Sequence, residues 1–183
     1  MKTPILPVLL VALAPATALA DPASTSAPAL SDFAVTANIG FARAFDNDFD
    51  DFEPLFGVAA EFFVKPRLAV RAMAAFTSFD ARINGFRGEA DVLLATAGIV
   101  YNWEPGPVRP FISGGAGIYD KRFSGPAVQG ADDGIEVGFN AGGGLDIPFE
   151  SHWAIRIEGL LHGVTGDDPN SFFALTGGAR YRF

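Results

Sequence analysis

The sequence predicts an all-β fold: an eight-stranded antiparallel up-and-down transmembrane β-barrel. Three observations carry that prediction. Apolar residues recur at every second position over several stretches, the connections between the stretches alternate between short and long, and aromatic residues gather at both ends of the stretches. Composition agrees, since 49% of the 183 residues are hydrophobic and 21 are glycine. Beyond the N-terminal segment, no apolar run reaches the roughly 20 residues of a membrane helix. Such a chain must place its apolar surface another way.

The first segment reads as an export signal. Met1-Lys2-Thr3 carries a positive charge, Ile5 to Leu13 is apolar, and Ala18-Leu19-Ala20 supplies the small-x-small pattern of a cleavage site. Pro4, Pro7 and Pro15 and the short core argue against a membrane anchor. The expected organisation is therefore a signal peptide over 1–20, a flexible Pro/Ala/Ser-rich lead over 21–30, and a single barrel domain over 31–183.

From Ser31 onward the dominant period is 2, that of a strand with one apolar face. Phe33, Val35, Ala37, Ile39 and Phe41 share one parity. The next sets are Phe56, Val58, Ala60, Phe62, Val64 and then Leu68, Val70, Ala72, Ala74, Phe76. Later come Val137, Phe139, Ala141, Leu145, Ile147; Trp153, Ile155, Ile157, Leu161; and Phe173, Leu175, Ala179, Tyr181, Phe183. Two further strands, near 90–103 and 109–121, are apolar or small on both faces, so their facing stays unassigned. The total is eight.

Lys65-Pro66-Arg67, Glu104 to Val108 and Glu150-Ser151-His152 are short connections, whereas 46–54, 80–88, 120–135 and 165–171 are longer and more polar. Short turns at one end and long loops at the other are the pattern of a barrel in a bacterial outer membrane. Aromatics near the short turns are Phe63, Tyr101, Trp103, Phe111, Phe149, Trp153, Tyr181 and Phe183; near the long loops they are Phe45, Phe56, Phe76, Tyr119, Phe139 and Phe173. Two such girdles bracket a lipid-facing band.

The opposite parity carries charges that lipid would not tolerate. A three-residue loop around Pro66 pairs Val64 with Leu68, Phe62 with Val70 and Glu61 with Arg71. The hairpin around Ser151 pairs Phe149 with Trp153, Ile147 with Ile155, Asp146 with Arg156, Gly144 with Glu158 and Asn140 with His162. Opposed charges across strands attract. Eight strands leave an interior just wide enough for side chains to fill. Glu61, Arg71, Asp146, Arg156 and Glu158, with Asn140 and His162, are therefore expected to form a packed polar network that plugs the barrel. Gly142, Gly143 and Gly144, and Gly114, Gly115 and Gly117, would relieve crowding or permit strong coiling.

Pro110-Phe111-Ile112-Ser113-Gly114-Gly115-Ala116-Gly117-Ile118-Tyr119, Gly138 to Asp146 and the last strand Gly177-Gly178-Ala179-Arg180-Tyr181-Arg182-Phe183 resemble the small outer-membrane barrels of Gram-negative bacteria, the group of the OmpA membrane domain, OmpX and the opacity proteins. The resemblance covers 31–183. It implies an integral outer-membrane location after signal cleavage, contact with outer-membrane lipid and lipopolysaccharide, and delivery by periplasmic chaperones to the outer-membrane assembly machinery. It also implies that Tyr181 and Phe183 form the assembly signal which that machinery reads.

Other chemistries fare less well. With 13 Lys plus Arg against 21 Asp plus Glu, the net charge of −8 opposes nucleic-acid binding. Without cysteine there is neither a disulfide nor a thiolate metal site, and no cofactor is expected. Asp46, Asp48, Asp50, Asp51 and Glu53 begin like a calcium loop. Asp51, however, stands where the sharp turn needs Gly, and Gly57 where the final Glu belongs. A looser calcium or magnesium site bridging to lipopolysaccharide phosphates competes with a plain solubilising role. His162 is followed by Gly163-Val164-Thr165, and no Gly-x-Ser-x-Gly elbow exists, so enzyme activity is not expected. The functional expectation is a monomeric structural barrel serving envelope integrity or surface contact through its acidic loops. The alternatives are a narrow pore for small solutes and a soluble periplasmic barrel with an apolar ligand inside.

Overall fold

The computed structural model describes residues 32–45, 52–83, 86–103, 106–126, 133–165 and 171–183. These form eight strands: β1 (Phe33–Ala44), β2 (Glu53–Lys65), β3 (Leu68–Ile83), β4 (Phe86–Asn102), β5 (Arg109–Ser124), β6 (Gly134–Pro148), β7 (Trp153–Val164) and β8 (Ser171–Arg182). Each pairs antiparallel with its sequence neighbours, and β1 pairs with β8, closing the barrel. Closure removes the open edges that would otherwise strand backbone N–H and C=O groups in lipid.

The apolar parity faces outward. Phe62, Val70 and Ile155 are 56%, 49% and 49% exposed, whereas Arg71 and Arg156 are 4% and 1% exposed. An apolar exterior around a charged interior is the inverse of a soluble barrel with an apolar ligand pocket, and that alternative is set aside. The two strands without an assigned face follow the same rule. On β4, Val92, Leu94, Thr96 and Val100 are buried while Leu93 and Ile99 are exposed; on β5, Phe111, Ser113, Tyr119 and Lys121 are buried while Ile112 and Ile118 are exposed.

The pairing differs from expectation in one hairpin and in two of the expected long loops, 80–88 and 120–135, the second of which the β5–β6 ladder enters as far as Lys121↔Gly134. Glu61↔Arg71 and Phe62↔Val70 face each other, but Val64 does not oppose Leu68. The ladder slips between Phe63 and Lys65, so that Lys65 pairs with Leu68 and the turn shortens to Pro66-Arg67. A bulge of this kind adds twist at a barrel rim. The hairpin between β6 and β7 keeps the expected partners from Asn140↔His162 to Ile147↔Ile155, and the Phe149 amide donates to the Trp153 carbonyl at 3.1 Å.

The stretch 80–88 is not a long loop. The β3–β4 ladder continues to Ile83↔Phe86. Its polarity alters the outward face and leaves the pairing intact. The outward parity changes from Phe76 and Leu93 to Ser78, Asp80, Glu89 and Asp91 without a break in pairing.

Inward glycines let the backbone close on itself. At Gly144, opposite Glu158, a Cβ would overlap the Ile157 carbonyl oxygen, and at Gly142 it would overlap that of Gly159. By contrast, a methyl group at Gly177 would have nothing within 4 Å, so space alone does not demand glycine there.

The lumen as candidate functional site

The interior is layered rather than uniformly polar. At the short-turn end, Ala34, Phe63, Ala69, Val100 and Phe111 pack into one apolar layer. Phe63 and Phe111, expected in the lipid-facing girdle, point inward at 3% and 2% exposure. Phe63 shares the parity of Glu61, so on a strand it must share its face.

Above this layer sits an ionic belt. Arg156 on β7 holds Asp146 on β6 side-on, its Nε donating to Oδ1 at 2.7 Å and its Nη2 to Oδ2 at 2.8 Å. Nη1 of the same guanidinium donates to Glu61 Oε1 on β2. Arg180 on β8 donates from Nη2 to the other Glu61 oxygen, Oε2, at 2.9 Å, and its Nη1 lies 3.5 Å from Asp146 Oδ2. In a second group, Arg71 Nη1 on β3 donates to Glu158 Oε1 at 2.5 Å, and the Ser113 hydroxyl donates to the same oxygen at 3.0 Å. Side-on Arg–carboxylate pairs use both donors of the guanidinium fork and are the strongest of such contacts.

Two aspects of the belt depart from the sequence reading. Arg71 stands opposite Glu61 in register but its ion pair is with Glu158, across the lumen; Glu61 instead takes Arg156 and Arg180. Arg180 belongs to the belt although neither hairpin register brings it there. Three acids and three arginines, none more than 4% exposed, balance to zero. The belt also rests on the apolar layer below. The Arg156 guanidinium lies 4.3 Å above the Phe111 ring, and those of Arg180 and Arg182 lie 5.4 Å and 4.1 Å from the Phe63 ring centroid. Such stacking is favourable for weakly hydrated guanidinium groups.

Towards the long-loop end a larger apolar layer follows, including Leu55, Met73, Phe79, Val92, Leu94, Leu160 and Phe172. Tyr119, expected in the upper girdle, is fully buried within it. Its hydroxyl lies 2.9 Å from His162 Nδ1, and the His162 ring stacks on Phe172 with centroids 4.4 Å apart. Asn140 is buried opposite His162. Between Glu158 and His162 lies a cavity of about 10 Å³, also bordered by Asn38, Leu55 and Leu160. That is room for one water at most.

The remaining candidates lie at the two ends. Asp46, Asp48, Asp50 and Asp51 fall outside the described residues, while Glu53 begins β2 opposite Ala42. Tyr181 packs between Trp153 and Phe183, with centroid distances of 4.9 Å to each, and stacks on His152 at 5.7 Å. Phe183 meets Phe33 across the β1–β8 seam at 5.5 Å.

Comparison with known structures returns the same architecture. The Neisserial surface protein A superposes with a TM-score of 0.59 at 18% identity, covering 85% of this chain and 99% of that one. Ail, the attachment invasion locus protein of Yersinia pestis, gives 0.58 at 17% identity, covering 84% and 100%. OprG, an outer membrane protein of Pseudomonas aeruginosa, gives 0.60 at 12% identity, covering 84% and 97%. These likenesses concern the fold. A search of curated protein sequences finds no match. Residues 6–183 match the family described as outer membrane protein beta-barrel domain. With the closed barrel, its apolar exterior and this match over nearly the whole chain, the protein belongs to the outer-membrane β-barrel domain family of Gram-negative bacteria.

Proposed function

We propose that the protein is a monomeric, non-conducting and non-enzymatic structural barrel of the outer membrane, exported by cleavage of 1–20 and meeting its surroundings through its long-loop end. The single observation that carries this reading is the filled lumen. Six charged side chains neutralise one another at no more than 4% exposure, and the cavity beside them holds about 10 Å³. Ions need a hydrated path, and eight strands packed with side chains provide none. His162 supports the non-enzymatic part, being enclosed between Tyr119 and Phe172 at 3% exposure, where no substrate reaches it. Because the belt sums to zero, the chain's net charge of −8 resides outside it. That favours contact with lipopolysaccharide phosphates through bridging divalent cations over direct binding, since like charges repel. Delivery to the assembly machinery through Tyr181 and Phe183 belongs to the same reading, supported by their place at the closing seam.

Planar bilayers holding the purified protein test it. Insertion is verified first by heat-dependent gel mobility. Silence at applied voltage is the expected result, and stepwise single-channel currents would refute the non-conducting role.

A further inference from the structure

The layering of the lumen says where permeation is blocked. We infer that the barrier consists of two separate, largely apolar septa enclosing a packed ionic chamber, and that the ion pairs of the belt are the contents of the chamber rather than its gate. The inference rests on the non-conducting reading above and goes further by locating the block.

The lower septum centres on Phe63, Val100 and Phe111 and closes the short-turn end; the upper centres on Leu94, Leu160 and Phe172, with His162 stacked on Phe172 and the buried Lys121, paired with Glu136, opposite Val92, and closes the long-loop end. Between them lie the arginines and carboxylates of the belt, none more than 4% exposed. A constriction lined by apolar groups excludes water and therefore ions, because a water there has too few hydrogen-bond partners. Carboxylates and guanidinium groups do the reverse and hold water when given space. Breaking an ion pair while both septa stand therefore leaves the path closed. Opening one septum turns the belt into a blind vestibule reached from one side, and only opening both creates a path.

The chain has no cysteine, so a single introduced thiol reports access without background. Ser113→Cys places it in the belt, since the Ser113 hydroxyl contacts Glu158. Ser124→Cys, exposed at the end of β5, is the reference. A charged, membrane-impermeant methanethiosulfonate is added to either side of vesicles carrying the refolded protein in one orientation.

Ser113→Cys alone is expected to stay unlabelled from both sides, while Ser124→Cys reacts from its own. Adding Phe63→Ala with Phe111→Ala gives labelling of position 113 from the short-turn side only, with the bilayer still silent. Adding Leu160→Ala with Phe172→Ala gives labelling from the long-loop side only, again in silence. All four together give labelling from both sides and a steady conductance. Heat-dependent mobility verifies each fold, and Leu replaces Ala at the phenylalanines where the smaller residue prevents folding.

Labelling or current in Ser113→Cys combined with R71M and E158M, which removes an ion pair and leaves both septa, would overturn the inference. So would silence and protection in the fourfold variant. Current through the unaltered protein would instead sink the non-conducting reading itself, so the two failures are told apart.

Discussion

Replacing Arg71 with Met removes one partner of a salt bridge whose side chains are 5% and 2% exposed. Among the described residues, Glu158 is then left as a buried carboxylate with only the Ser113 hydroxyl at 3.0 Å for compensation. Breaking a buried pair costs about 3–5 kcal/mol, and the retained hydrogen bond places this case near the lower end, at about 3 kcal/mol. Glu158→Met strands the Arg71 cation and costs a similar amount. The double variant R71M/E158M leaves neither charge and loses chiefly the Ser113 contact, at about 1 kcal/mol. Equilibrium urea unfolding of the protein refolded in lipid vesicles measures all three. Because the pair is buried, added salt should change the differences little. The control is E61M/R71M: Glu61 is held by Arg156 and Arg180, so that double variant keeps both losses instead of relieving them. If E61M/R71M recovered stability and R71M/E158M did not, the assignment of ion partners across the lumen would be wrong.

Further outcomes follow from the packing. Gly144→Ala drives a methyl into the Ile157 carbonyl and should sharply reduce the heat-modifiable folded fraction on gels, whereas Gly177→Ala, with nothing within 4 Å, should leave it unchanged. Val58→Arg places a charge near the middle of the lipid-facing band and should lower vesicle stability by about 2–4 kcal/mol, an effect absent if that face met water. Deleting Phe183 should reduce assembled barrel in cells while detergent refolding changes less. Equal cellular yields with and without it would contradict the assembly role of the last strand.

How far the sequence could be read depended on whether a contact was local. The lipid face was legible because period 2 on β1, β2, β3, β6, β7 and β8 repeats one rule along each strand. Asp146 opposite Arg156 was legible because a short hairpin sets its own register. The Arg71–Glu158 pair was not, since it joins β3 to β7 over 87 positions and requires the barrel to curl until those walls meet. Arg180 could have been found: it shares the inward parity of Thr176 and Gly178, opposite the outward Ala179. Phe63 could have been found in the same way, from Glu61. Grouping aromatics by their distance from a turn misplaced Phe63, Phe111 and Tyr119, because that grouping ignores which face a residue is on. Asp80 and Glu89 looked like loop residues because polarity was taken to end a strand, when there it only alters the outward face.

The ion pairs Glu61–Arg156, Glu61–Arg180 and Arg71–Glu158 tie together positions 95, 119 and 87 residues apart. None can form on an unrolled sheet. A half-inserted sheet would present Glu61, Arg71, Glu158 and Arg180 to hydrocarbon without the counter-ions they hold in the closed cylinder. Chain entry and cylinder completion are thereby thermodynamically linked, and partly inserted species are pushed to high energy, so the last hairpin to dock is also the event that makes the membrane habitable for the rest.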